Sequence, residues 1–403
     1  MYLKKFSFKD KTFLKTNYWF FLIPCILIGI FSALRWPSAW TATHALFDYS
    51  QGFSKRSFYG NFLSVFFDEK VSYLEITIIN FIIFFIWCSL IILLIRLIIN
   101  KNLIDFKVCC LFFLSPAFIF QVHTIGYLEH VAFLLFTINL FVRNFYFHLI
   151  IKFFIILLLP FIHEGLLLMI TPVVILDTYL FLKNKSKKIN LIITIFIMIS
   201  IVGTCVNSLS KKNDLELTQY EKYISKKAKD FNPRGDNIET LTNDIFKVLN
   251  IMYGYWTNPA HWTKLFMGII FLMPLPIFLS FILIKSIREQ RGKISQILFY
   301  STIFSCFSPT FLILIAFDIW RWFALLQFTT FLTIFIFCFR ERLKFKYTNY
   351  SFIFNCLFVI TCLTSIPLFD EYEVNKLPFY NHLENIWFII KNNESFLQIP
   401  WHR

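Results

Sequence analysis

The chain has 403 residues, 57% of them hydrophobic and 20% aromatic, with 55 phenylalanines against ten glycines and a net charge of +15. That apolar content excludes an ordinary soluble domain. The charge does not point to nucleic acid either, because most cations sit in short runs between apolar segments rather than along one face. Nine cysteines fall within or against apolar segments with no CxxC spacing, so neither a disulfide framework nor a zinc site is indicated.

In chain order, the first seventeen residues carry Lys4, Lys5, Lys9, Lys11 and Lys15 against Asp10. The positive-inside rule therefore places the amino terminus in the cytoplasm. The apolar run that follows lacks a small-residue cleavage site and reads as a retained first helix. Apolar segments are expected at about residues 18–34, 73–99, 108–121, 131–142, 146–162, 166–182, 189–206, 265–284, 294–317, 323–339 and 350–367. Basic runs at 183–188, 285–293 and 340–346 mark inside turns. Pro274 and Pro276 predict a kink in the eighth segment. The expected fold is thus all-α and polytopic, with about eleven transmembrane helices, the amino terminus inside and the carboxyl terminus outside. It forms one membrane domain over residues 1–403, with external loops at about 35–72 and 207–264 and an external tail at 369–403. Residues 214–230 of the longer loop have the composition of an amphipathic helix.

With that topology the polar residues able to do chemistry share the external face. The first loop contains Asp48, Lys55 and Arg56 among glycines and aromatics. Lysine supplies a point charge and arginine a planar fork, and nearby glycines let backbone N–H groups approach, which suits a phosphate-bearing ligand. Such a loop also serves as a headgroup-level anchor. Glu129-His130 and His163-Glu164 repeat a His–carboxylate pairing at neighbouring segment mouths. A partly buried Glu164 would be a proton acceptor tuned by His163, or the dyad would simply cap a helix end. Together these histidines and carboxylates could also hold a divalent metal, although no diagnostic ligand spacing is present. Asp318 and Arg321 are three apart and so neighbours on a helix, either as an intrahelical ion pair or as a holder of an anionic ligand. No Walker A loop, dinucleotide fingerprint or GxSxG elbow occurs, so an energy source would travel on the substrate, as a lipid-linked phosphate or diphosphate leaving group.

In architecture the chain resembles the bacterial O-antigen and capsule polymerases (Wzy-type) and related GT-C-class membrane glycosyltransferases. The likeness rests on the Phe/Ile-rich spans, the acid-bearing first external loop with Asp48, and the long external loop. Arg56, Arg321, Glu164 and Asp318 at helix mouths complete it. The chain departs from the pattern in lacking paired arginine-rich loop motifs and an acidic pair in the first loop. The resemblance implies a multi-pass protein of the bacterial inner membrane that acts on undecaprenyl-linked sugars at the periplasmic face, beside other polysaccharide-assembly proteins. It implies that Lys55, Arg56 and Arg321 hold the phosphates, that Asp48 or Glu164 takes a proton with His163 assisting, and that Tyr255, Trp256 and Trp262 stack on sugar faces. Asp318, Glu129 and His130 complete the expected substrate contacts. A flippase for lipid-linked oligosaccharide, a glycan-modifying membrane acyltransferase and a purely structural membrane protein remain alternative readings.

Overall fold

The computed structural model describes residues 18–34, 36–50, 56–67, 69–183, 189–209, 217–242, 245–313 and 318–364. Among these the chain is all-helical, without a strand, and has one isolated parallel bridge between Val71 and Ala228. The helices are α1 Trp19–Ala33, α2 Ala39–His44, α3 Ser57–Leu63, α4 Tyr73–Asn100, α5 Phe106–Leu114, α6 Pro116–His123, α7 Glu129–Phe141, α8 Phe145–Ile162, α9 Glu164–Leu182 and α10 Ile189–Leu209. They continue as α11 Leu217–Lys227, α12 Gly235–Thr242, α13 Ile245–Trp256, α14 Pro259–Met267, α15 Pro274–Arg291, α16 Gln296–Phe307, α17 Thr310–Ile313, α18 Ile319–Glu341 and α19 Ser351–Thr364.

Each expected apolar segment carries a helix, but the lengths differ from the expectation. Among the described residues four helices are long and apolar enough to cross a bilayer (α4, α8, α9 and α18), or six if each of two bent pairs counts as one span. Among the described residues α7 and α16 are shorter apolar helices, at 10–17 residues. Aliphatic and aromatic side chains exposed on the outer faces of α1, α4 and α8, such as Phe20, Ile78, Ile82, Phe147 and Phe154, give the protein a lipid-facing surface.

Both bends have local causes. The third segment breaks at Ser115, whose extended backbone (φ −94°, ψ 161°) reflects the steric exclusion of helical geometry before Pro116, and α5 and α6 meet at 41°. In the eighth segment, α14 passes through a π turn over Gly268–Leu272 and bends by 42° into α15. The carbonyl of Leu272 has no helical donor four residues on, because that residue is Pro276, which lacks an N–H. Gln327 of α18 supplies the hydrogen bond instead, from Nε2 at 2.9 Å. Phe323 of the same helix presses on the turn, where a Cβ at Gly268 would lie 2.1 Å from its ring.

Helix α18 is the hub. Of its apolar window 94% is buried, against 39% for α4 and for α8, and it packs against α4, α6, α9, α15 and α16. Its buried polar residues find partners in neighbouring helices: Thr329 donates to the Cys306 carbonyl at 2.8 Å, and Thr333 meets Ser305 at 2.7 Å. At its carboxyl-terminal end Arg340 donates to Asp177 of α9, with Nε 2.7 Å from Oδ1. Lys152 of α8 reaches the other carboxylate oxygen at 2.6 Å and Thr178 at 3.0 Å, and His148 Nε2 lies 3.5 Å from the same oxygen. Asp177, Lys152 and His148 are fully buried. Beside this cluster Glu341 pairs with both Lys183 and Arg291, which joins α18 to the ends of α9 and α15.

A buried carboxylate shared by two cations is asymmetric in what its members contribute. Asp177→Asn would leave Lys152 buried, and Arg340 half-buried beside it, without that anion and should destabilise by roughly 3–5 kcal/mol. Lys152→Met leaves Asp177 neutralised by Arg340 and should cost much less. Thermal unfolding of the purified protein in detergent measures both, and equal losses would refute this account of the cluster.

Candidate functional site

At the opposite end of α18 the first helical turn presents Arg321, buried to 6% exposure although it carries a charge. Its Nη2 pairs with Glu129 Oε1 at the start of α7, and its Nη1 lies 3.3 Å from Asp318 Oδ2. The guanidinium carbon stands over the ring of Tyr127 at 5.0 Å and that of Trp322 at 4.9 Å. Tyr127 in turn lies 4.9 Å from Trp40 of α2. Cation, carboxylate and aromatic faces therefore converge from four parts of the chain, the combination that lets a guanidinium remain charged away from water.

Further charges surround this centre. Arg56 lies within electrostatic range of Arg321. It holds a left-handed backbone conformation (φ 60°, ψ 9°) at the start of α3, a strained state for a non-glycine residue of the kind found at functional positions. Lys264 of α14 is in range of Asp318. On the same stretch Trp262 donates its ring N–H to the Trp256 carbonyl at 2.8 Å, and the two rings sit 5.2 Å apart. Trp262 is 43% exposed, so this pair forms an accessible aromatic surface on the helix that carries Lys264.

The remaining expected site residues divide. His163 caps α9, its Nδ1 accepting from the backbone N–H of Gly165 at 3.0 Å, and a Cβ on Gly165 would meet the His163 ring at 3.3 Å and Trp322 at 3.7 Å. This brings the mouth of α9 against α18 next to Arg321. Glu164 opens α9, but its side chain, like the whole of Lys55, lies outside the described residues. His130 does not share the direction of Glu129. Its ring nitrogens meet the carbonyl oxygens of Tyr127 at 3.2 Å and Gln121 at 3.0 Å, and it is buried. Consecutive residues on a helix point about 100° apart, which separates the two.

Asp48 is engaged elsewhere. Lys227 of α11 donates to its Oδ2, Ser50 Oγ to Oδ1 at 2.8 Å, and Tyr223 Oη to Oδ2 at 3.0 Å. Burial raises its pKa, but the hydrogen bonds from Lys227 and Ser50 outweigh that and hold the carboxyl below its usual 3.8. The same face of α11 is fixed by the Val71 bridge, where Val71 N–H donates to the Lys227 carbonyl at 2.8 Å. Nearby, Asn237 Nδ2 donates to the Trp40 carbonyl at 2.7 Å and meets His44 Nδ1 at 2.8 Å. Asp48 thus ties the long loop to the first loop.

Among the described residues no group of three His, Cys, Asp or Glu side chains is placed to hold a metal ion. Three members of the site were not reached from the sequence: Tyr127, Trp322 as a cation partner, and Lys264. Aromatic residues one place from an arginine and two before a glutamate were the available signal. No protein-family model, curated protein or solved structure matches the chain.

The Asp48 knot gives a testable dependence on pH. A carboxyl held below its unfolded value contributes stability that is fully present above the unfolded pKa and lost as pH falls through the folded one. Docking of α11 should therefore hold near neutrality and loosen only below about pH 4. Asp48→Asn should produce the loosened state at neutral pH, raising proteolysis in α11 about tenfold or more, since charge-assisted hydrogen bonds contribute ~1.5–3 kcal/mol. Unchanged cleavage in that variant would show that the docking does not depend on Asp48.

Proposed function

We propose that this chain is a membrane glycosyltransferase of the envelope-polysaccharide type, transferring sugar from a lipid-linked phosphate or diphosphate donor at the external face of the bacterial inner membrane. The observation that carries the reading is the buried Arg321 at one end of the hub helix, with Arg56 in electrostatic range, Lys264 in electrostatic range of its Asp318 partner, and the exposed Trp262, paired with Trp256, on the helix that carries Lys264. An anion gripped by these cations would be stabilised as negative charge develops on a departing phosphate. The tryptophan faces would meet the apolar faces of sugar rings. A carboxylate at this end, Glu129 or Glu164, would take the proton from the acceptor hydroxyl. Asp48, already satisfied by Lys227, Tyr223 and Ser50, has a structural part in this scheme.

The spans and orientation belong to the same proposal: eleven crossings, amino terminus inside, carboxyl terminus outside. Two features support it. The basic runs at 183–188, 285–293 and 340–346 fall on alternate turns of one side. From Arg321 to Arg340 helix α18 rises about 28 Å at 1.5 Å per residue, close to the ~30 Å thickness of a hydrocarbon core, so its two ionic ends would sit at opposite interfaces.

Two experiments test this. Reporter fusions at Ser186, Gly292 and Asn381 should read inside, inside and outside; the reverse at Ser186 would move Arg321 to the cytoplasmic face and defeat the proposal. In nanodiscs supplied with lipid-linked oligosaccharide, Arg56→Ala should lower transfer by roughly 100-fold while protein levels stay near normal, and Arg56→Lys should recover only part because it lacks the two-pronged grip. Full transfer by Arg56→Ala would remove Arg56 from the phosphate site. Wild-type protein that moves the lipid-linked substrate across the bilayer without joining sugars would replace the enzyme with a transporter.

A further inference from the structure

The Arg321–Glu129 pair is only half made. Glu129 is 3% exposed, and one of its oxygens meets Arg321 Nη2. Among the described residues its second oxygen, Oε2, has no hydrogen-bond partner, and neither does Arg321 Nε or Nη2, so the Nη2–Oε1 contact is an ion pair only. A guanidinium and a carboxylate paired for neutralisation frequently form a two-pronged fork, which fills both oxygens and an N–H edge. Here the contact is single, and each partner keeps an unfilled polar atom in a buried setting where such atoms are costly. The deficit extends to a neighbour. Trp322 Nε1, on the residue whose ring stacks with Arg321, has no partner among the described residues. Buried atoms of both polarities left unfilled around one ion pair match a ligand that brings acceptors to Arg321 and a donor to Glu129.

We propose that Glu129 is a gate and a proton acceptor in one: the donor's phosphate displaces its carboxylate from Arg321, and the displaced carboxylate deprotonates the acceptor hydroxyl. This rests on the glycosyl-transfer reading and names the group that reading leaves open. The incoming phosphate occupies the Nε/Nη2 edge of Arg321. Glu129 has then exchanged a neighbouring cation for a neighbouring anion, and a carboxylate in that position holds a proton more tightly. The acceptor hydroxyl gives its proton to Glu129, and its oxygen lone pair forms the bond to the anomeric carbon. The bond from that carbon to the phosphate oxygen breaks, and its electron pair stays with the lipid phosphate against Arg321 and Arg56. Glu129 afterwards releases the proton to water, which restores the pair. The base is thus idle until a donor is seated.

The test measures binding and turnover separately on the full chain in nanodiscs. The binding probe is geranylgeranyl diphosphate, which carries the anion without a sugar, and turnover is followed with lipid-linked oligosaccharide. Glu129→Gln removes the internal competitor and should bind the probe about tenfold tighter or more, because the competent state no longer has to be released. Its turnover should fall about 100-fold. Glu129→Asp keeps a carboxylate but shortens its reach to Arg321, so it should also bind the probe more tightly while retaining more turnover than Glu129→Gln. Pairing Glu129→Gln with Arg321→Gln removes both charges together, which spares the fold the burial of a lone ion, and should abolish probe binding. If wild type binds the probe and neither Glu129 variant binds it better, the gate is wrong. If Glu129→Gln turns over at the wild-type rate, the proton acceptor is another group. If wild type fails to bind a lipid diphosphate at all, the glycosyl-transfer reading itself falls, and this inference with it.

Discussion

A charge carried into an apolar interior has to be met by an opposite charge there, and helix α18 is where this chain meets that requirement at both ends. Arg321 and Arg340 sit about 28 Å apart on the most deeply buried of the long apolar helices. The two solutions differ in kind. Around Arg340 the carboxylate of Asp177 has both oxygens engaged, by Arg340 and by Lys152, with further pairing at Glu341. Around Arg321 the carboxylate of Glu129 is used on one oxygen only. One end is saturated and behaves as a clasp; the other carries unspent hydrogen-bonding capacity, and that contrast locates the candidate chemistry more sharply than charge alone.

The distinction bears on how substrate could reach the centre. Three helices are joined at Asp177 and a further one at Glu341, so opening that end would separate several buried ion pairs at once. The Arg321 end is framed instead by short elements: α2, α3, the Tyr127 turn and the mouth of α9. Short helices and turns rearrange at lower free-energy cost than packed spanning helices. Exposed apolar residues along α4 and α8 line the flanks of the same bundle, so a lipid-linked donor of the kind proposed would not have to leave the membrane to approach it.

Much of this was legible in the sequence, and what was not has physical reasons. Apolar runs marked every segment that became a membrane-type helix, because a lipid or core environment enriches the whole circumference and needs no finer pattern. Prolines 274 and 276 announced the second bend, whereas the break at Ser115 depended on Pro116 in a run otherwise indistinguishable from a continuous helix. Asp318 and Arg321 were correctly neighbours at helical spacing. The partner that buries Arg321, however, is Glu129, far away in the chain, and pairing across that distance leaves no trace in composition or spacing. The same is true of Asp177. An apolar run between Lys152 and Asp177 was visible, and a lone acid or base inside such a run is itself a sign of a buried partner. Which cation would answer which carboxylate is a tertiary fact, set by how α8, α9 and α18 pack.

The hydrogen bond from Gln327 to the Leu272 carbonyl has a mechanical meaning. It fits one carbonyl, orphaned by one proline, and it works beside the Gly268 notch that admits Phe323. Together these act as a key in a slot. Turning α18 by one residue, or sliding it by a single rise, would strand the carbonyl and drive the phenylalanine ring into backbone. The hub is therefore locked in register, and it serves as a fixed spindle against which the smaller elements around Arg321 do whatever moving the protein requires.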